Sequence, residues 1–176
     1  MNRQDTLTQI NIRWLRQALR LLDRLDDTTY AATAPGLDPH RAGAHLRHII
    51  EFYQSFLNGL QSGRIDYDAR RRDEAVECSR AAAAAAIRSI VRTLETCPAL
   101  RSESMILVRM EDAGEASDSY MESSISRELQ VLSSHTIHHF ALIAVTLRMH
   151  GVNMDPDFGM APSTLRYLAS KTAVAA

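Results

Sequence analysis

Apolar residues return at three- and four-residue steps through most of this chain, a period that suits helices and excludes long strands. Between positions 7 and 25, Leu7, Ile10, Trp14, Leu21 and Leu25 form one stripe, and Thr6 with Gln9 fits a capping box. The helix is expected to end before Thr28, where Thr28-Thr29 and then Pro35-Gly36 signal a loop. A second helix is predicted over 42–60, with Ile49, Phe52, Phe56 and Leu60 as its buried side. The polar stretch 62–72 reads as a loop anchored by Ile65 and Tyr67. Asp73 is a suitable N-cap for a third helix running to Cys97-Pro98, with Glu74 and Glu77 in its first turn. Its alanine run at 81–86 combines high helix propensity with little side-chain bulk. Met105-Ile106-Leu107-Val108 breaks the period, and Asp112-Ala113-Gly114-Glu115 reads as a turn, so a small hairpin is expected over 104–120. The fourth helix, over 124–150, carries Ile125, Leu129, Leu132, His139, Ile143 and Leu147 on one face, with Ser123 or Ser124 as its cap. A short helix at 162–170 closes the tail. Four such helices make an all-α, antiparallel four-helix bundle, with a hairpin insertion between helices 3 and 4.

The 176 residues suffice for one substantial core, so the whole chain is read as one domain, its core at about 5–150 and its tail at 151–176. Twenty Lys plus Arg against twenty-one Asp plus Glu leave a formal net charge of −1. That balance argues against a nucleic-acid partner or an anionic membrane surface. Arg70-Arg71-Arg72 is offset by Asp66, Asp68, Asp73 and Glu74. Cys78 and Cys97 would stand about 28 Å apart on a single helix, too far for a disulfide. With no apolar signal core near the start and no bilayer-spanning apolar run, a cytoplasmic protein with reduced thiols is expected.

Of the seven histidines, five fall in two helical windows. His135 and His139 are one turn apart, so their imidazoles can converge on one side of the fourth helix. Leu132, Ile143 and Leu147 mark that side as inward. Two buried neutral imidazoles leave four ring nitrogens in need of partners, and a divalent ion can take one nitrogen from each ring. A third ligand from a facing helix is best supplied by His48, which Phe52 and Phe56 mark as inward. Three histidine ligands leave room for water or substrate, as in a reactive site rather than a closed structural one. His45 and His138 lie one step off the ligand stripe and suit supporting or pocket-wall roles. His150 suits the negative end of the helix dipole. Thr136 follows His135, so this is not the zinc-protease HExxH motif. Glu51, one turn beyond His48, is the nearest acidic candidate for proton transfer, weighed against an ordinary solvent-facing carboxylate.

At His48 within Gly43-Ala44-His45-Leu46-Arg47-His48, and at His135 and His139 within Ser134-His135-Thr136-Ile137-His138-His139-Phe140, the chain resembles the DinB-like (YfiT-like) superfamily of metalloenzymes. Asp66-Tyr67-Asp68-Ala69-Arg70, Ser124-Ile125-Ser126-Arg127-Glu128-Leu129 and the stretch from Phe158 to Tyr167 look like marks of a bacterial branch of it. The resemblance implies a metal-dependent transferase acting with a low-molecular-weight thiol. It also implies a pocket whose rim comes from the loop after the second helix and from the C-terminal tail.

The leading expectation is thus a metal-dependent transferase or hydrolase with a small-molecule substrate. Zinc, nickel or iron would be held by His48, His135 and His139. Arg70, Arg127 or Arg166 could hold an anionic substrate or serve as structural ion pairs, and Trp14 and Tyr167 could wall the pocket. The alternative is a non-catalytic, metal-binding or stress-associated bundle, dimeric through its first and last helices.

Overall fold

The computed structural model describes residues 3–34, 36, 40–110 and 120–174. Among them the chain is mostly helical, with seven helices and a small three-stranded sheet. The four long helices are α1 (Arg3–Leu22), α3 (Ala42–Gly59), α5 (Arg80–Thr96) and α6 (Ile125–Met149). Both α1 and α3 pack against both α5 and α6, which encloses a core of Ile12, Leu15, Ile49, Phe56, Ile87, Leu129, Phe140 and Leu147.

α1 begins at Arg3, so Thr6 lies inside the helix and is exposed, and the expected capping box does not form there. It also ends at Leu22; Leu25 stays buried as the first anchor of the following turn. Where a loop is expected around Thr28-Thr29, Asp26 accepts from the Thr29 backbone N–H (2.7 Å) and caps the short α2 (Asp27–Ala31). α2 buries Tyr30, whose hydroxyl donates to the Val76 carbonyl (2.7 Å). Pro35 of the expected Pro35-Gly36 signal lies outside the described residues.

The third predicted helix is two. Asp73 does cap, accepting from the Ala75 and Val76 N–H groups, but the helix it starts is the one-turn α4 (Glu74–Cys78). Ser79 then takes an extended conformation, and its Oγ accepts from the Ala82 N–H to cap α5. A Cβ at Gly43 would stand 2.0 Å from the Glu77 carbonyl oxygen, so glycine there lets the start of α3 reach α4.

β2 (Met105–Arg109) and β3 (Met121–Ser124) pair antiparallel, with Met105 opposite Ser124 and Val108 opposite Met121. The expected hairpin therefore exists with its second strand set later in the chain, and its turn at Asp112–Glu115 lies outside the described residues. Within the stretch read as loop, β1 (Arg64–Asp66) adds parallel to β2, Ile65 opposite Val108. Three residues show no period that would reveal a strand, although the anchors Ile65 and Tyr67 are both fully buried. Ser124 caps α6 by accepting from the Arg127 N–H (3.2 Å). The tail helix α7 (Pro162–Val174) runs longer than predicted. No described helix is long and apolar enough to cross a membrane. Both cysteines are unpaired, Cys78 exposed and Cys97 half-buried.

A buried polar knot sets how α1, α3 and α6 align. The Tyr53 hydroxyl donates to Asn11 Oδ1 (2.6 Å), and Asn11 Nδ2 donates to the carbonyls of Leu7 and Leu129 (2.9 Å each). Thr136 Oγ1 lies 3.2 Å from the same hydroxyl and donates to the Leu132 carbonyl (2.7 Å). Burial pushes the Tyr53 hydroxyl well above its usual range, so it stays protonated and available as a donor. Removing that donor leaves a buried amide oxygen unsatisfied. Tyr53→Phe is expected to lower unfolding stability by roughly 1–3 kcal/mol. A urea midpoint unchanged by the substitution would remove the knot from the account.

Candidate metal centre

His48 projects from α3 toward α6, where His135 and His139 stand on successive turns. Ring centroids are 4.9 Å apart for His48–His135, 4.6 Å for His48–His139 and 4.5 Å for His135–His139. One ligand nitrogen from each of the three lies within 4.8 Å of the others, close enough for the group to hold a metal ion. Phe52 stacks on His135 (4.1 Å) and on Tyr67 (4.9 Å), forming an aromatic wall that ties the site to the end of β1. The Tyr67 hydroxyl donates to Glu128 Oε2 (2.9 Å), and Ser123 Oγ donates to Glu128 Oε1 (2.6 Å). This buried carboxylate joins strand, cap and α6 behind the wall.

All three imidazoles are held neutral. Burial, then the Arg70 guanidinium and His135, brings His48 down to about 3. Burial, then His138 and Arg70, brings His135 to about 4. Burial, then His135 and His48, brings His139 to about 2. A neutral ring offers a lone pair, which is the form a metal requires. His135 Nε2 is buried with no hydrogen-bond partner. An orphaned acceptor on one ring, beside two further neutral rings, fits a divalent ion better than it fits a packed core.

On His139 and His48 the Nδ1 atom is engaged. His139 Nδ1 is 3.1 Å from His45 Nδ1, and His45 Nε2 is 3.1 Å from His40 Nδ1. With His139 offering Nε2 to an ion, its Nδ1–H donates to His45, whose Nε2–H donates to His40 at the surface. Burial, then His40 and His138, lowers the His45 pKa, so this link too is neutral. His45 therefore bonds to His139, one of the three histidines that could hold an ion. His40 is missed by helical spacing because it precedes α3 and only the chain path brings it near.

Arg70 sits against the site. Its Nη1 contacts His48 Nδ1, its Nε donates to the Tyr67 carbonyl (3.0 Å), and its guanidinium lies over the Phe52 ring at 5.4 Å. A guanidinium only donates, so His48 Nδ1 accepts and the neutral ring carries its proton on Nε2. An ion and Arg70 therefore compete for His48. Glu51 is not the solvent-facing carboxylate weighed above: it is 3% exposed, and its Oε1 accepts from the Asp73 N–H (3.0 Å). His138 is exposed, with its ring edge-on to His139 at 5.3 Å. Trp14 is buried, donates to Ser133 Oγ (2.9 Å) and meets Phe140 edge-on, inside the α1–α6 contact. Arg127, Arg166 and Tyr167 are exposed and have no contact with the three histidines. The tail reaches α6 through Phe158, stacked on Phe140 at 4.7 Å.

No family model and no solved structure matches the chain. Among curated proteins it is similar to FK506-binding protein 5 of Rhizopus delemar, with 33% identity over 105 residues. The match takes in 59% of this chain but only 27% of that protein, so the chain spans about a quarter of the relative's length. These findings overturn the DinB-like resemblance. A histidine facing an HxxxH pair is a solution open to any two packed helices, so the motif specifies a site without specifying ancestry. The thiol cofactor is implied by that resemblance alone and goes with it.

Two outcomes follow from this geometry. The folded-state pKa values of about 3, 4 and 2 lie below the unfolded value of about 6.5, so the unfolded chain takes up protons first as pH falls. Stability of the metal-free protein should be flat above pH 7 and decline as pH drops from about 6.5 toward 4. Melting temperatures across that range should fall less steeply in a His135→Gln/His139→Gln variant, and equal slopes would refute the assignment. Separately, Arg70→Ala removes a cation from beside the ion's position and should tighten zinc binding roughly tenfold by competition titration. Weaker binding in that variant would instead make Arg70 a support of the site.

Proposed function

We propose that this chain is a divalent-metal-binding four-helix bundle, folded as one domain, whose ion sits between His48, His135 and His139 and serves a hydrolytic reaction on a small molecule. The observation that carries this reading is three neutral imidazoles from two helices with their ligand nitrogens within 4.8 Å of one another. Imidazole donors suit zinc, nickel or iron(II), and three protein ligands leave coordination positions open. When bound, the ion would supply Lewis acidity, lowering the pKa of a water molecule or polarising a substrate oxygen. The protein's own part is to orient and to exclude. His45 and His40 fix the ring orientation of His139, Phe52 and Tyr67 wall off His135, and Arg70 places a positive charge beside the ion for an anionic substrate group.

The second reading is a metal-binding protein without catalysis. It is favoured by Glu51, the nearest acidic candidate, whose Oε1 is committed to the Asp73 backbone N–H and so is not free to move a proton at the ion. The FK506 binding named for the Rhizopus delemar protein is not part of either reading, since most of that protein lies outside the match.

Elemental analysis of zinc-loaded, dialysed protein tests the common ground of both readings. Roughly one zinc per chain is expected in the native protein, with near-complete loss in His135→Ala/His139→Ala. Circular dichroism should show that the variant keeps its helices. Full zinc occupancy in that variant would sink the site. Ester or amide hydrolysis that depends on added zinc and disappears in the variant would separate the enzyme from the binder.

A further inference from the structure

A cavity of ≈ 240 Å³ lies between α1 and the C-terminal tail, and none of the three histidines lines it. Contacts on either side of it hold the tail in place. Arg24 pairs with Asp155 and donates to the Asn153 carbonyl (2.7 Å). Phe158 stacks on Phe140 of α6, and Gly159 lies so close that a Cβ there would stand 2.8 Å from the Ala141 nitrogen. Trp14 of α1, with Pro162 and Leu165 of α7, gives the cavity an apolar side. Its volume is below the roughly 300–1,000 Å³ of drug-sized sites, so a ligand here is small.

The α1 wall supplies donors. Arg13, Gln17 and Arg20 line the cavity at four- and three-residue steps, which puts them on one face of the helix. Arg16 and Arg24 on the same helix are paired, with Glu95 and Asp155 at 2.8 Å each. Arg13 and Arg20 are exposed and have neither an ion pair nor a hydrogen bond among the described residues. Gln17 Oε1 is buried, so what that amide can offer a ligand is N–H. Against the two guanidiniums the lining sets one carboxylate, Asp157. The excess is one positive charge, which a single carboxylate would neutralise. A guanidinium can hold such a group through two parallel N–H bonds.

We propose that this cavity binds a small organic monocarboxylate with an apolar body. Its carboxylate is held by Arg13 and Arg20, and its body rests against Trp14, Pro162 and Leu165. The site is separate from the metal centre and does not depend on the ion.

Cyclohexanecarboxylate serves as the probe, with cyclohexanecarboxamide lacking its charge and acetate lacking its body. Calorimetric titration of the full chain should show saturable binding of the probe, with each of the other two at least roughly tenfold weaker. Trp14 is the single tryptophan and lines the cavity, so its emission should change over the same concentration range. Arg13→Gln and Arg20→Gln alter exposed, unpaired side chains, should keep their helical circular dichroism, and should each weaken the probe roughly tenfold. Arg16→Gln takes the same charge from outside the cavity and should leave affinity within about twofold. Binding should persist in His135→Ala/His139→Ala. No saturation, equal binding of the amide or acetate, or unchanged Trp14 emission would each overturn the proposal. So would native affinity in both Arg13→Gln and Arg20→Gln, an equal loss in Arg16→Gln, or loss of binding in a folded double-histidine variant.

Discussion

The Tyr53 hydroxyl, buried where α1, α3 and α6 meet, sets the relation on which the rest of the site depends. Helix faces made of leucine, isoleucine and alanine can slide past one another at modest cost, because apolar contact is non-directional. A hydroxyl that must donate to Asn11 Oδ1 at 2.6 Å cannot slide. Tyr53 follows His48 by five residues on α3, and Thr136 is the immediate neighbour of His135 on α6. The bond pattern that places Tyr53 against Thr136 thereby also places the histidines of α3 against those of α6. Asn11 adds α1 to this register by donating to a carbonyl of α6.

The cluster that results is a half-buried group of basic side chains held in their uncharged form. Desolvation is the largest cause of the lowered pKa at His48, His135 and His139, and Arg70 adds positive charge at the first two. Neutral imidazoles packed this closely would otherwise be hard to satisfy with one proton per ring. His45 and His40 absorb part of that demand by carrying hydrogen bonds from His139 outward. His135 Nε2 is left buried without a hydrogen-bond partner.

The small sheet matters mainly for what it carries. β1 runs beside β2 and leads to Tyr67, which braces Phe52 and bonds Glu128, and then to Arg70 at His48. The same segment continues to Asp73, whose backbone N–H holds Glu51 Oε1. A chain path of about ten residues therefore supplies both a cation at the metal centre and a wall of an adjacent cleft. Arg70 stands at both, against His48 on one side and along the cleft between α3 and α5 on the other.

Much of the helical fold was legible from spacing, because a period of 3.6 residues is a property of one element and needs no knowledge of its neighbours. The buried faces of α3 and α6, the Ser124 cap and the convergence of His135 with His139 all belong to this class. The single-helix reading of 73–97 failed at Ser79, since a capping serine inside an otherwise helical stretch reads equally well as an interior residue. The family assignment failed because three histidines describe a coordination geometry and little else. Only the tertiary structure decided that Arg64–Asp66 is a strand, that Glu51 is buried, and that His40 and Arg70 stand at the site. These depend on where distant segments of the chain meet, and such meetings leave no period in the sequence from which to read them.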